Sequence, residues 1–394
     1  MMKSNVFVFV VCGSNEHIET LHFSLRHLKH FSSSPIWVVT DSSRNQISIN
    51  HHTIIEIDTP KEYNHHQASI YLKTGLYKFL PPGNNYCYLD TDVIALSNKC
   101  DDIFEQFIPP IRFAADHCLT YHFSPHAVNC GCFEKLNAST KLLSAFLNKY
   151  REKQVHDENL IKQAKLLEKE FERIKKSFFL SSYFALKFKM PLKKYWLNNN
   201  FYFDKHEQAW KLASGEIVMY DINIREMEVK TGYRFLKDDN KWIDQFGVDV
   251  WDIGCSHLVE KINQAFGINV ADNRWQHWNG GVFLFNDASR NFMETWHQKT
   301  LKIFELPEWK TRDQGTLIAT VWEFNLQNHP VMEKQWNFLA DDNNPQLRFD
   351  KEGYFTENNW SSKHKVNFVH IYHRFGDTTW DLWNFIANKS LDDN

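Results

Sequence analysis

Along the first hundred positions, apolar residues fall into short unbroken runs separated by one helical repeat. Val6–Cys12 is uninterrupted, the pattern of a parallel strand covered on both faces, and a buried strand is predicted there. Ile18, Leu21, Leu25 and Leu28 then recur at helical spacing, until Ser32-Ser33-Ser34-Pro35 stops the helix before a second apolar run, Ile36–Val39. Ile54–Ile57 gives a third strand, Ala68–Leu80 a helix ended by Pro81-Pro82-Gly83, Tyr86–Leu89 a fourth strand, and Arg112–Ala115 a short further one. Strand–helix alternation predicts an α/β, Rossmann-like sheet that binds ligands at the carboxyl ends of its strands.

The apolar pattern is broken where Asp90 and Asp92 stand between Tyr86–Leu89 and Val93–Leu96. Burying two carboxylates is costly unless a cation meets them. A hard divalent ion, Mn²⁺ or Mg²⁺, suits oxygen ligands together with substrate phosphates. An acidic turn between two strands is the plainer alternative. Asp41 follows the second strand and Asp116 the short one, both at strand ends.

Further on, Leu160, Ala164, Leu167, Phe171, Ile174 and Phe178 repeat at spacings of four and three, as in a helix packed along one seam; an earlier helical stretch holds Leu136, Leu143, Leu147 and Tyr150. A helical hairpin projecting from the core is the simplest reading. Within Lys175–Trp196, Lys187, Lys189, Lys193 and Lys194 interleave with Tyr183, Phe184, Phe188, Tyr195 and Trp196. That mixture suits an anionic membrane interface, and equally a helix docked on its own domain.

Composition narrows the picture. At 394 residues with 43% hydrophobic and 24% charged positions, the chain is long enough for a large α/β domain with an insertion or for two domains, and is not disordered. A formal net charge of -3 offers no global attraction to nucleic acid. Aromatic residues reach 15%, which suits carbohydrate faces and an aromatic core alike. Seven cysteines without a Cys-x-x-Cys pair argue for a reducing compartment. Cys130 and Cys132, with His122, His126, Cys118 and His117 nearby, could place ligands around Zn²⁺ but match no standard finger spacing, so loop histidines and small buried thiols are the preferred reading and a structural zinc the alternative. Val6–Cys12 is too short to span a membrane and lacks a cleavage pattern, giving the expectation of a cytoplasmic protein, peripheral at the inner face of a membrane if the basic segment docks there.

Tyr71-Leu72-Lys73 through Leu80-Pro81-Pro82 to Tyr88-Leu89-Asp90-Thr91-Asp92-Val93 resembles the donor half of the retaining family-8 glycosyltransferases, relatives of glycogenin and the bacterial galactosyltransferases. Trp278 to Asn286 resembles that family's Asn-x-Gly-Val strand, Asp313-Gln314-Gly315 its Asp-Gln-Gly segment, and Val369 to Trp380 its closing His-x-x-Gly…Trp element. The resemblance covers about the first 130 residues and the last 140. It implies a GT-A nucleotide-diphospho-sugar transferase fold, with residues 1–134 as the nucleotide-sugar-binding half and 255–394 as the acceptor and metal half; between them, where the family has a far shorter connection, residues 135–254 form a large, mainly helical insertion, read as an acceptor or membrane-surface element. It further implies a UDP-sugar donor, a glycan, lipid-linked or protein acceptor, and transfer with retention. Cys12, Gly13, Asp41, Lys73, Asp90, Thr91, Asp92, Gly280, Gly281 and Gly376 would contact the donor. Asn279, Asp313 and Gln314 would line the reacting face.

Metal would be held by Asp90, Asp92 and one histidine. His373 keeps the family's spacing to Gly376, whereas His370 better fits the apolar residues before it. Strand alternation turns the two imidazoles apart, and His373 is preferred. The chain departs from the family at Gly376-Asp377-Thr378-Thr379-Trp380, where a lysine contact to the diphosphate is missing; Lys73 or Arg374 would have to substitute. A nucleotidyltransferase and a non-catalytic sugar-nucleotide binder on the same fold are the competing classes.

Overall fold

The computed structural model describes residues 4–135, 141, 158–220, 228–229, 231–236, 241–243, 249–251, 254–310, 312–341, 347–350, 352–357 and 362–388. The chain divides into two compact units, residues 1–131 with 254–394, and residues 132–253.

The first unit is a mixed α/β fold. β1 (Asn5–Val10) is followed by α1 (Asn15–Phe31), β2 (Ile36–Thr40), β3 (Ile54–Glu56), α2 (His65–Thr74), β4 (Asn85–Leu89), β5 (Val93–Ala95), β6 (Arg112–Leu119) and α3 (Thr120–Ala127). After the insertion come α4 (His257–Phe266), β7 (Gln276–Phe285), α5 (Arg290–Ile303), α6 (Asp313–Glu323), β8 (Phe338–Leu339) and β9 (Phe368–His370). Six strands form the central sheet in the order β3-β2-β1-β4-β7-β6. β3, β2, β1 and β4 are parallel, and β7 runs against both β4 and β6.

The unbroken apolar runs follow from burial on both sheet faces. In β1, Phe7 and Phe9 pack with Ile18, Leu21, Leu25 and Leu28 of α1, while Val6, Val8 and Val10 pack on the opposite side with Ala68 and Leu72 of α2. The helical repeat in α1 is therefore its core stripe. The expected Ala68–Leu80 helix is instead α2 and a short turn of helix, Leu76–Phe79, divided at Gly75. An Asn64–Gln67 capping box sets its start several residues before the first apolar position.

A second sheet of three strands, β8-β9-β5, stands beside the Asp-bearing turn. β9 is antiparallel to β5, with His370 opposite Val93, and parallel to β8, with Leu339 opposite His370. This pairing carries a residue from near the chain's end to the turn after β4. α1 supports the same turn, since Ser24 donates its hydroxyl to the Thr91 carbonyl at 2.6 Å.

The second unit, described by itself, joins helices Glu158–Lys175 and Phe178–Phe188 to a four-stranded antiparallel sheet made of Lys194–Trp196, Phe201–Asp204, Ala209–Leu212 and Ile217–Tyr220. The predicted seam is present over Ala164, Leu167 and Phe171, but it packs against Tyr195, Phe201, Phe203, Trp210 and Val218 of that sheet. The strands are three or four residues long and rich in lysine and aromatics, so their period-two signal is too short to separate from a polar helical face. The helical stretch expected from Leu136 to Tyr150 lies outside the described residues. Among the described residues, no helix is long and apolar enough to cross a membrane.

Candidate active site

Because β1, β2 and β4 are parallel, Cys12-Gly13, Asp41 and Asp90 all stand at one edge of the sheet. β7 brings its Asn279-Gly280-Gly281 segment to the same edge. Its pairing with β6 shifts register between Gln276 and Trp278, places Asn279 opposite Ala114, and then breaks until Phe283 stands opposite Phe113, so the two glycines sit in an interruption of that ladder. On the other side, Asp90 donates its N–H to the Gly281 carbonyl at 2.8 Å.

These glycines make room for charge. A Cβ at Gly281 would lie 2.5 Å from His370 Cε1 and 2.9 Å from Asp90 Oδ2; one at Gly280 would lie 3.2 Å from Lys73 Nζ and 3.4 Å from Asp313 Oδ2. Around that space, Asp90, Asp92 and His370 offer ligand atoms within 4.8 Å of one another. His370 Nε2 is 3.2 Å from Asp92 Oδ1, a buried oxygen with no hydrogen bond, whereas His370 Nδ1 meets Asn337 Oδ1 at 3.0 Å. Two carboxylates and one imidazole are a suitable donor set for Mn²⁺ or Mg²⁺, and an orphaned carboxylate oxygen is where an ion would find its ligand.

The structure brings His370 into this cluster and not His373. His373 is exposed, its ring lies on Tyr372, and its backbone N–H donates to Asp341 Oδ2 at 3.3 Å. The reason is register: His370 is paired within a buried strand beside β5, whereas spacing to Gly376 says nothing about which strand runs past Val93. Gly376, at φ 80°, belongs to a turn in which Arg374 is held by Asp377 at 2.6 Å and lies over the Trp380 ring. Arg374 is thus occupied within its own turn.

Lys73, the last-turn cation of α2, is buried between two carboxylates, 2.9 Å from Asp313 Oδ2 and 3.3 Å from Asp90 Oδ1. Burial works against its charge, but Asp313 and Asp90 outweigh it and hold the ammonium above the ordinary lysine range. For Asp90 the balance goes the other way: burial raises its pKa despite Lys73, and Asp92 adds to the rise. For His370, burial lowers the pKa, yet Asp92 and then Asp90 bring it above the usual histidine value.

A second network joins the polar side chains beside this cluster. Asp116 Oδ2 accepts from Asn279 Nδ2 at 2.9 Å and from Gln314 Nε2 at 2.8 Å, and Asp116 Oδ1 faces His117 Nδ1 at 2.8 Å. Burial would raise the Asp116 pKa, but the His117 hydrogen bond and the His277 and His117 charges hold it well below the carboxylate range. Asn279 Oδ1 in turn accepts from the Gly281 N–H at 2.9 Å and from Asn337 Nδ2 at 3.0 Å. One continuous chain of hydrogen bonds therefore runs from Gln314 through Asp116, Asn279 and Asn337 to His370. A cavity of about 380 Å³ opens beside it, lined by Ala114, Asp116, His117, Gln276, Glu333 and Asn337 among others.

Asn337, buried between Trp336 and Phe338, is a member that sequence reasoning misses, since a single amide beside apolar residues carries no spacing signal. Asp41, expected to meet the donor, is buried and already satisfied: Thr59 donates N–H and O–H to Oδ2 at 2.9 and 2.6 Å, and Ser43 donates N–H and O–H to Oδ1 at 3.2 and 2.5 Å. These bonds outweigh burial and hold its pKa at about 2. Gly13, at φ 115°, donates to Asn45 Oδ1 at 3.1 Å, and the Cys12 thiol is buried beneath it. Cys12, Gly13 and Asp41 build the loop at this edge.

No protein-family model matches the chain, and no curated protein sequence does. Among solved structures it is similar to the apo form of glycosyltransferase GlyE of Streptococcus pneumoniae TIGR4, with 12% identity over 86% of this chain and 47% of that one and a TM-score of 0.33. Mouse xyloside xylosyltransferase 1, also apo, gives 10% identity over 94% and 97% and a TM-score of 0.35. The galactosyltransferase LgtC with donor and acceptor sugar analogs gives 11% identity over 28% and 46% and a TM-score of 0.20. The chain spans about half the length of GlyE and of LgtC. At these TM-scores the likeness is too slight to argue from.

Proposed function

We propose that the chain is a metal-dependent glycosyltransferase that moves a sugar from a nucleotide-sugar donor, a UDP-sugar, to a glycan, lipid-linked or protein acceptor with retention of configuration. The observation that carries this reading is the meeting of Asp90, Asp92 and His370 at the carboxyl edge of the parallel strands, with Lys73, Asp313, Gln314 and Asn279 on the adjoining side. Four separated sequence motifs that resemble the family thus converge on one place.

Held by Asp90, Asp92 and His370, Mn²⁺ or Mg²⁺ would neutralise the negative charge that a departing nucleoside diphosphate acquires. The chain's own residues do the rest. Gly280 and Gly281, lacking side chains, leave room for the donor between two charged groups. Asp116 fixes the amide of Gln314 by accepting from Nε2, so the amide oxygen remains to contact the sugar. Lys73 holds Asp313 in place through its ion pair at 2.9 Å. An anionic Asp313 beside the reacting carbon would stabilise the positive charge that develops there. A nucleotidyltransferase would also use the paired aspartates, but it has no evident use for the Asp116–Asn279–Gln314 network.

The test is turnover: incubation with UDP-sugars and Mn²⁺ should release UDP, and the transferred sugar should keep the anomeric configuration of the donor. Pyrophosphate released from nucleoside triphosphates would select the nucleotidyltransferase, and an inverted anomer would contradict the retaining class.

The exposed face of helix Phe178–Phe188 supports a lipid-linked acceptor at an anionic bilayer. Phe178 and Phe179 are 82% and 84% exposed, Tyr183 and Leu186 are exposed beside them, and none of this helix's residues is buried. Tyr195, by contrast, is buried in the sheet that follows. Anionic vesicles should pull the chain down at low salt, with each surface lysine contributing on the order of 1 kcal/mol and the attraction fading as salt shortens the screening length. Phe178→Ser with Phe179→Ser should abolish co-sedimentation. Wild type that stays in the supernatant at low salt would remove the bilayer from this reading.

A further inference from the structure

We infer that Cys130, Cys255 and His257 form a zinc site distinct from the candidate active site, a staple at the point where the chain leaves the first unit and returns to it. Zinc takes thiolate and imidazole ligands, and a ligand atom of each of these three residues lies within 4.8 Å of the others. The two sulfurs are 3.8 Å apart. Two thiolates at about 2.3 Å from a tetrahedral zinc stand roughly 3.8 Å from each other, whereas a disulfide requires about 2.05 Å. The separation excludes a bonded pair and fits two co-ligands.

The surroundings hold the sulfurs in place without the ion. α3 carries both segments: the Cys255 N–H donates to the Tyr121 carbonyl at 3.0 Å, and Val128 to Cys130 follow directly from the end of that helix. Val128 pairs with Trp309, and the Asn129 N–H donates to the Glu308 carbonyl at 2.8 Å, so the Cys130 segment is fixed from a second side. Phe123, Ala127 and Val128 pack with Leu258 and Ile262 of α4, the helix that begins at His257. Gly254 is required beside this point, because a Cβ there would lie 1.7 Å from the Tyr121 ring.

Ser124 adds the supporting shell that metal thiolates ordinarily have. Its Oγ accepts the Leu258 N–H at 2.9 Å and lies 3.0 Å from Cys255 Sγ, so once Cys255 is a thiolate the Ser124 hydroxyl is the partner with a proton to give. A hydroxyl donating to a thiolate stabilises the charged form that zinc needs.

None of this is evident in the sequence: Cys130 and Cys255 are far apart along the chain, and the nearer histidines, His122 and His126, are not members of the cluster. The site belongs to the chain's architecture. Residues 132–253 leave after Gly131 and rejoin at Gly254, and Cys130 and Cys255 stand immediately outside those two points. An ion between them closes the root of the insertion.

The test uses the full chain expressed with zinc and purified under reducing conditions. Elemental analysis should find about one equivalent of zinc, and X-ray absorption should find at least two sulfurs near 2.3 Å together with a histidine. Cys130→Ser, Cys255→Ser and His257→Ala should each lower bound zinc by roughly tenfold or more, whereas Cys100→Ala, in a different part of the core, and Asp92→Asn should retain it. Wild-type chain stripped by chelator and reloaded with Co²⁺ should show thiolate-to-metal charge transfer, which keeps the test valid if a variant fails to fold. Zinc content near zero in wild type, cobalt spectra without thiolate bands, or a Cys130–Cys255 disulfide in peptide maps of non-reduced protein would each overturn the proposal. Zinc lost with Asp92→Asn and retained with Cys130→Ser would place the ion in the other cluster, with the same result.

Discussion

Asp92→Asn should weaken Mn²⁺-dependent UDP binding by roughly a hundredfold or more while leaving the thermal unfolding transition in place. Changes to residues that merely support a metal ligand already cost about 10–100-fold. Asp92 would itself be a ligand, and its Oδ1 is buried without a hydrogen bond, 3.2 Å from His370. Asparagine keeps the shape and removes the charge. Without metal it also relieves repulsion against Asp90, so no loss of fold is expected. Calorimetric titration of UDP with Mn²⁺ and with EDTA makes the comparison. His370→Ala should reproduce the loss and His373→Ala should not, since only the first imidazole lies in the cluster. UDP affinity indifferent to EDTA, or equal effects from the two histidines, would remove the metal from this place.

What the sequence discloses here, and what it hides, follows from the distance over which each feature is specified. β1, α1, β2 and the Asp90–Asp92 turn are written in local periodicity, because a strand covered on both faces and a one-sided helix leave patterns within a dozen residues. Lys73, Asn279, Asp313 and Gln314 stand out through family-like motifs, and the structure places all four around the same glycines. The choice between His370 and His373 is not local. It depends on β9 pairing with β5, a contact between residues 368–370 and 93–95. Asn337, Cys255 and His257 are invisible for the same reason. The four-stranded sheet of the insertion escapes because its strands are no longer than a turn of helix.

Gln314→Ala should lower turnover by about 10²–10³ with UDP affinity changed less than about threefold, since a positioned polar group aimed at developing charge acts on the transition state and not on the nucleotide. Its amide is fixed by Asp116 at 2.8 Å, which gives it the preorganisation such an effect requires. Asp313→Ala should cost turnover as strongly but is the less clean experiment. Asp313 shares Lys73 with Asp90, and removing it leaves the ammonium paired with Asp90 alone, where it competes with the metal. A moderate loss of Mn²⁺-dependent UDP binding is therefore expected for Asp313→Ala and none for Gln314→Ala. Steady-state rates alongside UDP titrations separate the two. A fall in UDP affinity that matches the fall in turnover for Gln314→Ala would take that residue away from the reacting carbon.

The small β8-β9-β5 sheet has a kinetic meaning. Its outer strands come from residues 93–95 and 338–339, and its middle strand, 368–370, follows both in the chain. Pairing residues 368–370 with 93–95 is a contact of large sequence separation, the kind that slows folding. Asp90 and Asp92 are two residues apart and come together with one turn, whereas His370 reaches them only through the pairing of residues 368–370 with 93–95. The carboxylate pair thus gains its imidazole partner only once this long-range pairing has closed.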